Sequence, residues 1–177
     1  GWMDETGKPV VGFDRVVNAE VVWFLNAFGL PMSEDDPVLA FLLGECERED
    51  LAQGTHLFPN PVSFLYTMSR ALGQIKKPER DSVERRILSV LLSMQHANGD
   101  FGGPLSTVLA AHTLINLQYT GKELDRARFA VLRGTQGSGG WQYEDFVVNG
   151  FGSPALTTAL SLSFLAHYEH LQEAVIL

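Results

Sequence analysis

Cysteine is almost missing from this chain, since Cys46 is the only one in 177 residues. That excludes an internal disulfide framework and any metal site built from cysteines alone, and it permits a reducing compartment. Positive charge is scarce too. Thirteen lysines and arginines stand against 21 acids, a formal net charge of -8, and so negative a field disfavours nucleic acid and anionic lipid. The one cationic cluster, Lys76-Lys77 with Arg80, Arg85 and Arg86, is interrupted by Glu79, Asp81 and Glu84 and reads as a solvated helix face. No apolar run approaches the ~20 residues needed to span a bilayer, and no charged-apolar-small leader opens the chain. The expectation is a cytoplasmic protein with no nucleic-acid partner and no transmembrane segment.

What is present suits one soluble domain over residues 1–177. Hydrophobic residues make up 45% and charged residues 19%, and a chain of this length buries about 70% of its unfolded surface. Residues 1–13 carry Gly1, Gly7, Pro9 and Gly12 and read as a loop opening into a helix at Asp14, a cap for its first amides. The run Val16 to Leu25 is apolar on almost all sides and stops at Gly29. An acidic connector from Leu30 leads to a helix over about 37 to 51, then a turn at Gln53-Gly54-Thr55. Val62 to Leu72 is a second apolar helix closed by Gly73, and residues 79 to 95 are amphipathic, with Val83, Ile87, Leu88, Leu91 and Met94 at helical spacing. Leu105 to Leu117, rich in small residues, precedes a charged helix from Glu123 to Leu132. A loop from Gln142 to Pro154, a helix from Ala155 to about His167 and a separate short helix from His170 complete the chain.

This order repeats. Apolar helices begin near residues 14, 61, 104 and 154, 43 to 50 residues apart, and more charged helices begin near 37, 79 and 123. Such a period signals stacked helical hairpins. Helices apolar all round belong in an inner layer, and amphipathic ones can face water as an outer layer. The expected fold class is all-α, an array of about three and a half hairpins.

Two turns punctuate the repeat. Gln95-His96-Ala97-Asn98-Gly99-Asp100-Phe101 and Gln136-Gly137-Ser138-Gly139-Gly140-Trp141 share a plan of Gln, small or polar residues, Gly, one residue and a large aromatic. With the alternating layers, over about residues 79 to 168, they resemble the α/α-toroid family of squalene-hopene and oxidosqualene cyclases and protein prenyltransferase β-subunits. The segment Phe13 to Ala19 also resembles repeat segments of that superfamily. The resemblance implies an incomplete α/α toroid whose turns tie an outer helix to the next inner one, and an aromatic cavity that binds or cyclises an isoprenoid. The alternative is a non-catalytic binding or assembly domain on the same scaffold. An open edge of apolar inner helices would then associate with a second copy. A third reading, a glycan-processing toroid, needs two flanking carboxylates, for which Asp100 and Asp145 are the repeat-related pair.

The family's acid motif, Asp-x-Asp-Asp, finds only Ser33-Glu34-Asp35-Asp36, which lacks the first Asp and suits helix capping. Cys46 sits in no Asp-x-Cys, and His167 and His170 have no third ligand beside them, so neither a metal nor a cofactor is expected. The candidate catalytic acids are Asp14 and Asp145. The candidate binding residues, near the ends of the inner helices, are Asn18, His112, Trp141, Tyr143 and Phe146.

Overall fold

A computed structural model of the chain describes residues 14–176, apart from 31, 34, 77 and 149. The opening loop over 1–13 and Glu34 of the acidic connector lie outside the described residues. Seven helices are found among those described: α1 (Arg15–Ala27), α2 (Pro37–Glu47), α3 (Ser63–Ala71), α4 (Glu79–Met94), α5 (Pro104–Asn116), α6 (Lys122–Arg133) and α7 (Pro154–Ile176).

Local signals set their limits. Asp14 caps α1, its Oδ1 accepting from the amides of Val16 (2.9 Å) and Val17 (3.2 Å). Gly29, at φ +66°, ends it, and Leu30 N–H returns to the Leu25 carbonyl. Asp36 caps α2, with Pro37 at the first position, where no amide is needed. This helix stops at Glu47 rather than near 51, because Arg48 turns extended and Leu51, fully buried, plugs the core from outside the helix. At the other end of the chain, α7 runs unbroken through the expected gap between His167 and His170. No Gly or Pro interrupts residues 155 to 177, so nothing stops it.

The helices pack in alternating order, but of those expected to be enclosed only α3 and α5 are. α1 with its C-cap leaves Val17, Val21, Phe24 and Phe28 exposed, and α7 leaves Leu162 exposed. α1, α3, α5 and α7 touch in that order, α2 lies on α1, α4 on α2 and α3, and α6 on α5. α5 is the most enclosed, with every residue from Leu105 to Leu114 buried. Burial of each such Leu stabilises the fold by roughly 1.5–3 kcal/mol. α4 and α6 bury only a stripe, Val83, Ile87 and Leu91 on the first and Leu124, Ala127 and Val131 on the second.

The departure from an all-α chain is small. Within the loop that follows Trp141, β1 (Asp145–Val147) pairs antiparallel with β2 (Phe151–Gly152) across a bulge. No helix among the described residues is long and apolar enough to cross a membrane.

Candidate functional site

The first group of candidate side chains crosses the four consecutively packed helices. On α3, Leu65, Met68 and Ala71 are buried in the core, while Tyr66 and Arg70, one turn apart, fall on a different, half-buried face. The Arg70 guanidinium carbon lies over the Trp23 indole of α1, 3.4 Å from the ring centroid, and 5.2 Å from that of Tyr66. It also bridges to Glu20 at 2.8 Å and 3.2 Å. Stacking of this kind adds roughly 0.5–2 kcal/mol according to how far the cation is desolvated.

From Tyr66 the row continues to His112 of α5, ring centroids 6.0 Å apart, and from His112 to Phe164 (5.9 Å) and His167 (6.1 Å) of α7. His112 Nε2 is 2.9 Å from the Leu160 carbonyl. Asn116 closes the polar side of α5 by donating to Ser69 Oγ at 2.9 Å.

Burial dominates the electrostatics of this row. It raises the Glu20 carboxyl above its ordinary value, with Arg70 offsetting part of the effect. It raises the Tyr66 phenol and lowers His112, so the imidazole favours its neutral form. The row therefore combines a fixed guanidinium, a carboxyl raised above its ordinary value and five aromatic rings.

A second group gathers at the helix N-termini. Asp14 engages both oxygens, Oδ1 in the cap and Oδ2 with Thr55 Oγ1 at 2.6 Å, and Asn18 donates to the Asp14 carbonyl at 2.8 Å. Between α3 and α5, Asn60 Nδ2 donates to Ser106 Oγ at 2.9 Å, and both residues are buried. Glu144 enters this recess from the loop after Trp141. Phe146 sits edge-on to Phe58, centroids 5.4 Å apart. Asp145 is exposed and takes a hydrogen bond from the exposed Tyr143 hydroxyl, which also reaches the Gly150 carbonyl.

The sequence candidates thus fall in three places. Asp14 and Asn18 share the start of α1, Tyr143, Asp145 and Phe146 share the β1 arm, and His112 joins the aromatic row. Trp141 is 5% exposed, and its Nε1 donates to the Val131 carbonyl at 2.7 Å, which locks a turn. Sequence reasoning passed over Glu20 and Arg70, although each is the lone charge within its apolar run. Glu144, Asn60 and Ser106 are among the polar residues that the sequence places near the ends of the inner helices, but the sequence does not name Glu144's partner. The signal there was the dipeptide Gly103-Pro104, which starts α5 without a side-chain cap.

Cys46 is buried, and burial pushes its thiol up to about 12, which keeps it protonated and unreactive at neutral pH. No group of three metal-ligating side chains exists among the described residues. No protein-family model matches the chain, and no curated protein is significantly similar to it.

Proposed function

We propose that this chain is a terpene cyclase- or prenyltransferase-like domain, part of an α/α toroid, that holds an isoprenoid against its inner helices. The single observation carrying this reading is the row of Trp23, Tyr66, His112 and Phe164, which takes one or more rings from each of the four inner helices. The Gln-to-aromatic turns supply the family resemblance. Polarisable ring faces suit a branched hydrocarbon with double bonds, and Arg70 beside Glu20 offers a polar anchor at one end of the row. Whether bond making follows binding depends on an acid, and Glu20 is the carboxyl in this row whose protonated form burial favours.

Titration with farnesol, geranylgeraniol and squalene, followed by tryptophan fluorescence and by mass spectrometry of extracted products, tests the reading. Saturable quenching that disappears in a Tyr66→Ala, His112→Ala double variant, which keeps Trp23 as the reporter, is the expected result. Absence of saturable binding by protein whose circular dichroism is fully helical would sink it.

The exposed edge of α1 favours a second reading, assembly through this scaffold. Val17, Val21, Phe24 and Phe28 recur at helical spacing and are 40%, 47%, 49% and 66% exposed. If this edge is an interface between copies, Val21→Glu with Phe24→Glu lowers the sedimenting mass to that of a monomer. An already monomeric parent at high concentration removes this reading.

A further inference from the structure

α5 is the most enclosed helix of the domain, yet it begins without a side-chain cap of its own. Gly103 has no side chain to offer, and Pro104 follows at the first helical position. Its neighbours are served locally, α1 and α7 by side chains at their starts and α3, itself without a side-chain cap, by a turn just ahead of it. Asp14 caps α1, Asn60 Oδ1 accepts from Val62 N–H at 2.9 Å ahead of α3, and Ser153 Oγ accepts from Ala155 N–H at 3.1 Å at the start of α7. The first amides of α5 are met from afar. Glu144 Oε2 accepts from Leu105 N–H at 2.6 Å and Ser106 N–H at 3.4 Å, and its Oε1 accepts from Ser106 Oγ at 3.1 Å and Asn60 Nδ2 at 3.3 Å. A carboxylate at a helix N-terminus also gains from the helix dipole.

The segment that carries Glu144 is an insertion in the repeat. After the first turn, the Phe101 amide donates to Thr107 of the next inner helix, six residues on. After the second, the Trp141 amide makes the same bond to Thr158, seventeen residues on. The additional residues form the arm that reaches back over the preceding hairpin. Besides Glu144, this arm holds the body by Phe146 against Phe58 and by Val148 N–H to the Leu57 carbonyl at 3.0 Å. Tyr143 and Asp145 face solvent and bond to each other within the arm. The Tyr143 hydroxyl also reaches the Gly150 carbonyl and β1 pairs with β2, so the arm can leave as a unit with its internal bonds intact. It lets go of the body at Glu144, Phe146 and Val148, of which Glu144 makes the most bonds.

We propose that residues 142–148, moving together with the paired β2, are a releasable strap over the recess formed by Asn60, Ser106 and the start of α5, with Glu144 as its latch. Release uncovers the Leu105 and Ser106 amides, the Asn60 amide and the Ser106 hydroxyl together. This inference is independent of what the aromatic row binds.

Gly103 provides a second way to work the latch. A Cβ added there would sit 2.6 Å from Glu144 Oε2, and its extended backbone tolerates alanine, so Gly103→Ala expels the carboxylate while Glu144 stays in the chain.

Hydrogen exchange by mass spectrometry on the whole chain reads the device directly. In the parent, peptides covering 142–148 and 104–106 exchange through one local opening, faster than α4 peptides around 83–91. In Glu144→Ala and Gly103→Ala both regions speed up by at least tenfold and in parallel, with α4 unchanged, and Glu144→Gln lies between. Three outcomes overturn the proposal: a parent whose 142–148 amides open only with α4, variants whose exchange rises uniformly across the chain, or loosening of 104–106 without 142–148. Should Glu144→Ala fail to fold, the parent and Gly103→Ala decide.

Discussion

The two Gln-to-aromatic turns follow one backbone plan but are held in different ways. In the first, His96 N–H meets the Asp100 carbonyl and Gly99 N–H meets the His96 carbonyl; in the second, Gln136 N–H meets the Gly140 carbonyl and Gly139 N–H meets the Gln136 carbonyl. His96 and Gln136 are therefore the equivalent positions, and the two glutamines of the motif are one residue out of step. Gln95 reaches across, donating to the Glu123 carbonyl at 2.8 Å and the Gly99 carbonyl at 3.1 Å, and Arg126 and Arg133 add bonds to the Ala97 and Asn98 carbonyls. Gln136 is exposed, and the second turn rests on Trp141, whose ring nitrogen and amide tie α6 to α7. One turn is a polar network with an aromatic plug, and the other is chiefly the plug.

Removing the plugs gives the largest effects and tests whether they carry the same weight. Phe101 and Trp141 are 3% and 5% exposed, so each alanine variant should lose about 3–5 kcal/mol. Trp141→Ala also removes one of the two donors to the Val131 carbonyl, which keeps Gly134 N–H at 3.1 Å, and urea unfolding should place it slightly below Phe101→Ala. Equal losses would mean that the indole hydrogen bond adds nothing beyond ring burial.

The glycines come next. Gly99 has φ +90°, and a Cβ there would strike the Arg126 carbonyl, whereas Gly139 has φ +84° with open space around it. Alanine costs roughly 1–2 kcal/mol for the left-handed backbone alone. Gly139→Ala should show about that loss and Gly99→Ala clearly more, read as the separation of their thermal midpoints.

Gln95→Ala should cost about 1 kcal/mol, since two carbonyls lose their donor while Gln95 Oε1, already buried without a partner, loses nothing. Gln136→Ala should stay within about 0.5 kcal/mol. A reversal of that order would contradict the pairing of His96 with Gln136.

Much of the scaffold was legible in the sequence, because helix period, caps and Gly stops are local signals. Asp14, Gly29, Pro37 and Pro104 mark the helix ends where the chain places them. The helix period also separates enclosed helices such as α5 from striped ones such as α4. What remained hidden depends on pairing across the chain. Arg70 finds Glu20 from 50 residues away and Glu144 finds Leu105 from 39, and no local pattern encodes either meeting. Strand pairing of Asp145 with Gly152 was likewise masked by a loop rich in turn residues.

Acid separates the two turns by the smallest margin and the cleanest chemistry. Burial raises the Asp100 carboxyl, but hydrogen bonds from Gly102 N–H at 3.1 Å, from Asn98 and from His96 at 2.7 Å outweigh it and hold the group below its ordinary value of 3.8. A carboxyl depressed by folding contributes stability that is complete above the unfolded value and is lost as pH falls through the folded one. The equivalent position in the second turn is Gly140, which has nothing to titrate. Between pH 5 and 2 the Gly102 amide resonance should shift with Asp100 protonation. Asp100→Asn should remove that shift and narrow its small stability deficit against the parent as pH falls. A deficit that stays constant down to pH 2 would mean that the carboxylate's charge does not hold the first turn, leaving Gln95 and the two arginines to hold it.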